Sequence, residues 1–175
     1  AMHRQLIANN QLHGIEVVNE TTYSDEALQI ALDNGLTLMG TSDIHGLIDW
    51  QFKIPEGGHR PVTLVFAKER TAEAIKEALF DRRTAVWFDN TLIAREREMT
   101  PLLQASIRIE KASYIGPSAV CEVLLRNDSD AEFVLFNTGG FTLHEHANLV
   151  VLNPNGTTKI QVKTREQLPT FNLQF

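Results

Sequence analysis

A carboxylate and an imidazole stand two residues apart in GTSDIHG, residues 40–46: Asp43 and His45. In an extended segment, residues i and i+2 project to the same side, so both side chains can address one site. A carboxylate oxygen and an imidazole nitrogen together suit a borderline divalent ion such as zinc, manganese or iron. The plainer alternative makes Asp43 a turn cap and His45 a surface residue. The apolar run from Leu36 to Met39 precedes the pair and puts it just past a strand end. Parallel α/β folds build their sites at that end of a strand.

Other residues offer chemistry with a structural alternative beside each. His59 and Arg60, in GGHRP, precede a strand. An arginine there can clamp a phosphate oxygen through two parallel hydrogen bonds, or pair with an acid such as Asp49 or Glu56. Trp50 and Phe52 in the same loop can line a pocket or pack, and packing is the expectation. Glu16 lies inside an apolar strand, where a carboxylate needs partners; hydrogen bonding is expected there, with Asn19 similarly placed. The adjacent Arg82 and Arg83 lie between a helix and the next strand, the stabilising face of such a fold. His144 and His146 form an H-x-H pair in FTLHEHANLVV with no Asp or Cys close in sequence, so they are expected on a solvated surface. His3 and His13 are not expected to be ligands.

Positioning Asp43 and His45 requires a framework, and residues 14–94 alternate strand and helix rhythms. GIEVVN (14–19), LTLMG (36–40), VTLVFA (62–67) and TAVWF (84–88) are short apolar runs expected as buried strands. SDEALQIALDNG predicts a helix capped by Ser24, acidic in its first turn, with an inner stripe of Leu28, Ala31 and Leu32, ended by Gly35. TAEAIKEALFD (71–81) predicts a second, capped by Thr71, with Ile75, Ala78 and Leu79 inward. The order β-α-β-loop-β-α-β implies a parallel sheet with crossover helices. Asp89–Asn90 then turns the chain into TLIARE.

From about residue 101 the helical rhythm stops. LQASIRIE, AVCEVLLRN, EFVLFN, NLVVLN and TKIQVK read as strands, separated by the turn segments NDSD, NTGG and NPNG. Their spacing of roughly ten residues predicts a small antiparallel β-sandwich. The boundary is expected within REREMTP, residues 95–101, giving an α/β part over 1–97 and a β-domain over 101–175.

The balance of 43% hydrophobic and 22% charged residues over 175 positions is that of an ordinary folded chain. A net charge of −6 repels phosphate backbones and argues against a nucleic-acid partner. No stretch approaches the roughly 18 apolar residues that a membrane span needs. The single cysteine, Cys121, excludes an internal disulfide and sits in an apolar run, where an inert buried thiol is expected. No secretory signal pattern is visible at the start, which leaves the compartment undetermined.

GIEVVNETTYSDEALQIALDNGLTLMGTSDIHG resembles the C-terminal part of a PHP domain, of the polymerase-and-histidinol-phosphatase superfamily. HRPVTLVFAKERTAEAIKEALFDRRTAVWF resembles the segment C-terminal to it in bacterial PHP-type phosphoesterases. The likeness covers about residues 12–97. It implies a partial PHP-type (β/α) barrel followed by the β-domain, with Asp43 and His45 as ligands to a cluster of two or three divalent metal ions. It also implies hydrolysis of a small phosphate mono- or diester by a metal-bound hydroxide. The family's opening H-x-H pair and its further His and Glu ligands do not precede residue 14. The chain is therefore expected to be the C-terminal portion of a longer phosphoesterase, inactive alone for want of ligands, with no residue assigned as acid, base or nucleophile. An opened half-barrel is further expected to self-associate. Two readings compete: a binding or assembly module in which the β-domain recognises a partner, and a complete small α/β protein without catalysis.

Overall fold

The computed structural model describes residues 2–89, 91–145 and 147–175, so Asn90 of the expected turn and His146 of the H-x-H pair lie outside the described residues. The chain divides into two compact units, Ala1–Thr100 and Pro101–Phe175.

The first unit begins with α1 (Met2–Ala8), β1 (Gly14–Asn19), the two-residue β2 (Thr22–Tyr23), α2 (Asp25–Asn34) and β3 (Thr37–Thr41). Helix α2 forms where its caps place it. The Ser24 hydroxyl accepts from the Ala27 N–H at 3.1 Å, and Gly35, at φ 60°, closes the far end. Arg95 adds a second closure, donating to the Ala31 and Leu36 carbonyls at 3.0 and 2.6 Å. Strand β1 pairs in parallel with β3, from Gly14↔Thr37 to Asn19↔Thr41, and β2 pairs antiparallel with β1 on the other side. Val17, Val18, Ala31, Leu36, Leu38 and Val86 make the buried core of this unit.

Beyond β3 come the short helix α3 (Ile48–Gln51), a 3₁₀ turn (Ile54–Glu56), β4 (Val62–Val65), α4 (Ala72–Phe80), β5 (Thr84–Phe88) and β6 (Thr91–Ala94). Here the expected architecture fails. β4, β5 and β6 form a separate three-stranded sheet that is antiparallel throughout, with Val65↔Thr84 and Phe88↔Thr91 among its pairs. Among the described residues the only parallel pairing is β1–β3, and no barrel is formed. The partial (β/α) barrel is thus corrected to small, mostly antiparallel sheets. The reason is local. Helix α4 does not carry the chain across to a new parallel edge; Phe66 N–H bonds Arg83 O at 2.9 Å, so the two strands flanking the helix zip together. An alternating β-α-β order is compatible with that return, and periodicity alone cannot separate the two.

The two sheets meet through threonine rather than through a backbone ladder. The Thr63 hydroxyl donates to Gly40 O and accepts from Gly40 N–H, both at 2.9 Å, and the Thr84 hydroxyl donates to Leu38 O at 2.9 Å. The approach is close enough that a Cβ on Gly40 would stand 2.4 Å from Cγ1 of Val86. Small residues also bring the helices in. Ala31 of α2 and Ala74 and Ala78 of α4 are buried, whereas Leu32 and Ile75, expected on the inner stripes, are exposed.

Helix α5 (Glu96–Ser106) carries the division between the units and contains Pro101. The helical rhythm therefore runs five residues past the point expected from the sequence. Met99, Leu102, Leu103 and Ser106 are its half-buried positions, a 3.6-residue spacing that the LQAS segment alone is too short to display.

The second unit holds β7 (Ile107–Tyr114), β8 (Val120–Asn127), β9 (Phe133–Phe136), β10 (Thr142–Leu143), β11 (Leu149–Leu152) and β12 (Thr157–Lys163). They form a four-stranded sheet ordered β10-β12-β8-β7 and a two-stranded sheet β11-β9, all antiparallel. Strand β8 alternates half-buried and buried residues along its whole length, the period-2 signature of a strand with one face on a core. Cys121, Val123 and Leu125 from β8, Ile160 and Val162 from β12, and Val150 and Leu152 from β11 share that core. Cys121 is buried, and burial pushes its thiol pKa up. Asn127, also fully buried, ties the turn after β8: its amide donates to the Ala131, Leu152 and Asn153 carbonyls, and its oxygen accepts from Ser129 N–H and Oγ.

Candidate metal centre

Asp43 and His45 come directly after β3, and the structure brings them together with a third residue. Glu20, Asp43 and His45 each offer one donor atom, and the three atoms lie within 4.8 Å of one another. His45 Nε2 stands 3.5 Å from Asp43 Oδ1. Two ligands bonded to one tetrahedral ion at about 2.1 Å stand about 3.4 Å apart, so this pair already has the spacing of a ligand edge. One imidazole and two carboxylates are a donor set that zinc, manganese and iron accept, and two acids held together favour a cation between them. A bare surface ion pair between Asp43 and His45 would not call for the second acid.

The local fold explains the placement. Glu20 succeeds β1 as Asp43 succeeds β3, and these strands are parallel neighbours. Their C-terminal ends therefore open on the same side. Glu20 N–H donates to Thr41 O at 3.1 Å, which pins the first segment to the second. Both acids adopt left-handed backbone, φ 51° at Glu20 and 40° at Asp43. Non-glycine residues rarely adopt it unless the surroundings hold them there. The side chains stay accessible: 51% of Asp43 and 80% of His45 are exposed.

Behind these donors runs a polar row. Glu16 accepts from the Asn19 amide and from the Thr41 hydroxyl, each at 2.8 Å. Glu16 is thus hydrogen-bonded, on the exposed side of β1 rather than in a core. In front of them, Gln51 of α3 donates to Glu20 Oε1 at 3.5 Å and ties the loop after His45 back to the site.

The other residues singled out from the sequence fall elsewhere. His59 does not join the donor group: its ring stacks on Trp87 with centroids 4.3 Å apart, and Nδ1 lies 3.0 Å from Arg60 O. Arg60 is exposed just before β4. Phe52 is buried, but Trp50 is 80% exposed, against the expectation that it packs. Arg83 pairs with Glu77 and Asp81, and Arg82 donates to Gly35 O. His13 lies against Phe80, ring centroids 4.8 Å apart. Glu20 was missed in the sequence because it lies 23 positions before Asp43 and belongs to no spaced motif; only the parallel pairing joins them.

Comparison with known proteins adds two findings. Residues 107–175 match a family described as an Ig-like domain. The chain is also similar to the crystal structure of a two-domain protein from Bacteroides vulgatus that contains a predicted PHP-like metal-dependent phosphoesterase. The identity is 34% and the TM-score 0.86, over 96% of this chain and 48% of that one. No curated protein matches. The chain spans about half the length of the Bacteroides protein it resembles.

Proposed function

We propose that this chain supplies Glu20, Asp43 and His45 to a divalent metal ion in a metal-dependent phosphoesterase, and that alone it holds the ion without hydrolysing phosphate esters. The observation that carries this reading is the three-donor group at the paired ends of β1 and β3. The likeness to the Bacteroides protein supports it. When bound, the ion would supply positive charge to phosphoryl oxygens and acidify water. Asp43 and His45 are ligands in this proposal, Glu20 completes the set, and zinc, manganese and iron are the ions the donors suit. Arg60, exposed just before β4, is kept in this proposal as a contact for a small phosphorylated substrate, while the ring of His59 is already engaged with Trp87. Three donors are fewer than a two- or three-ion cluster requires, which is why hydrolysis is assigned to the whole enzyme rather than to this chain.

Calorimetric titration of the 175-residue chain with manganese or zinc tests the proposal. One ion should bind, Asp43→Ala and His45→Ala should each remove binding, and Glu20→Gln should weaken it; aryl phosphate should not turn over. Heat-silent titration of a folded wild-type chain would overturn the metal assignment, and rapid turnover would overturn the inactivity.

A second reading has its own support. The Ig-like match over residues 107–175 favours a recognition role for the second unit, with the first as scaffold. The two readings part at Asp43, whose substitution leaves a pure binding module unaffected.

A further inference from the structure

Between β3 and β4, residues 47–58 bond mainly to one another. Leu47 O accepts from the Trp50 and Gln51 N–H groups at 3.1 and 3.0 Å, which winds α3, and Lys53 O accepts from the Glu56 and Gly58 N–H groups at 2.9 and 3.1 Å. Gly58 is pressed against the same curl, since a Cβ there would stand 2.1 Å from Phe52 O. Phe52 is the buried residue of the segment, and the others apart from Ile48 are exposed. Glycine stands near both ends, Gly46 with open space around it and Gly57 at φ 87°, so the curl can turn as one piece. Among the described residues, the one hydrogen bond that leaves the segment runs from Gln51 Nε2 to Glu20 Oε1, at 3.5 Å. At that length it is weak, because N–H donors settle about 2.9 Å from an oxygen acceptor.

We propose that Gln51 is a positioning residue for the metal and that residues 47–58 form a strap, latched onto Glu20 when the site is loaded. The inference deepens the preceding reading and rests on it. Without an ion, Glu20 and Asp43 set two negative charges close together, and they repel. Under that repulsion Glu20 is a poor fixed acceptor for Gln51. Once Glu20 ligates through one oxygen, its other oxygen is held still for the Gln51 amide, and the long contact should shorten. The amide N–H in turn fixes the ligating carboxylate, as hydrogen bonds to metal ligands do in general. Glutamine suits this role because it donates without bringing a charge that would oppose the ion. Latching and ion uptake are thus coupled: whatever factor the closed strap adds to affinity, the ion adds to closure.

Trypsin reports on the strap through Lys53, which is exposed within it. Saturating manganese should slow cleavage after Lys53 about tenfold in the wild type, because proteolysis follows the population of the open form. In Gln51→Ala, calorimetry should show manganese bound about tenfold more weakly. Cleavage of that variant should be equally fast with and without saturating manganese. Asp43→Ala, which should bind no ion, controls for any effect of manganese on trypsin itself. A wild type that binds manganese yet gains no protection would overturn the latch while leaving the metal reading intact. So would protection that survives Gln51→Ala, or a Gln51→Ala variant with undiminished affinity. A wild-type chain that takes up no manganese would overturn both.

Discussion

Gly40 shows how much one position can carry. It is the fourth residue of β3, three before Asp43, and its backbone N–H and C=O are both taken by the Thr63 hydroxyl. A methyl group there would drive into Val86, a fully buried core residue. Overpacking of this kind costs about 1–3 kcal/mol. Gly40→Ala should therefore lower the thermal midpoint and, because it pushes β3 away from β5, weaken the manganese binding proposed at Asp43. Circular dichroism melting and metal titration on the same sample check both effects. Unchanged stability would show that the two sheets do not approach as closely as described. Glu20 and Asp43 make a related point: a donor's usefulness depends on backbone that holds it, and both stand at positive φ.

At the scale of elements, turns and caps do more than the strands they join. The NDSD turn after β8 is organised by one buried side chain, Asn127, whose amide meets three carbonyls and whose oxygen takes two Ser129 donors. Asn127→Ala would strand those buried groups, at about 1–3 kcal/mol for each that finds no water. A fall in the unfolding free energy by at least that much, seen as a lower denaturant midpoint, is expected, with the strand signal of the folded state retained. A midpoint within error of the wild type would mean that solvent replaces the network. Beside it, Asp128 lies between Arg126 and Arg108, at 2.9 and 2.7 Å, and these guanidinium groups hold its carboxyl below the usual range. What this adds to stability is present at neutral pH and is lost as pH falls through the lowered value.

For the whole molecule, self-association was expected from an opened half-barrel, and that premise does not survive the sheet topology. It stays a proposal on other ground. Strands β9 and β11 are apolar on both faces: Leu135, Val150 and Leu152 turn toward the core, while Val134, Phe136, Leu149 and Val151 are exposed. Cross-strand pairing sets Val134 beside Val151 and Phe136 beside Leu149, so the four form one patch. Such a patch is smaller than a standard interface, and the association should be weak. Light scattering should show average mass rising with concentration, and Phe136→Lys should flatten the rise. A wild-type chain that scatters as a monomer at every concentration rules the proposal out.

Short-range physics could be read directly. Ser24, Gly35 and Thr71 cap or close helices because hydroxyl acceptors and a Cβ-free residue satisfy the ends of any helix, whatever surrounds it. The alternation along β8 and the burial of Cys121 likewise come from a period of two in one segment. Asp43 and His45 could be picked out by residue type and spacing, although the extended segment assumed for them is interrupted by left-handed backbone at Asp43. Other features depended on which distant segments met. Glu20 joined the donor group only because β1 and β3 lie parallel, and the antiparallel return of β5 onto β4 replaced the expected barrel. Strand order carries no local signature, since a strand's own residues are compatible with either direction of neighbour. Long-range pairing, made definite here by the Thr63 and Thr84 hydroxyls and the close approach at Gly40, chose among arrangements that the residues permitted equally.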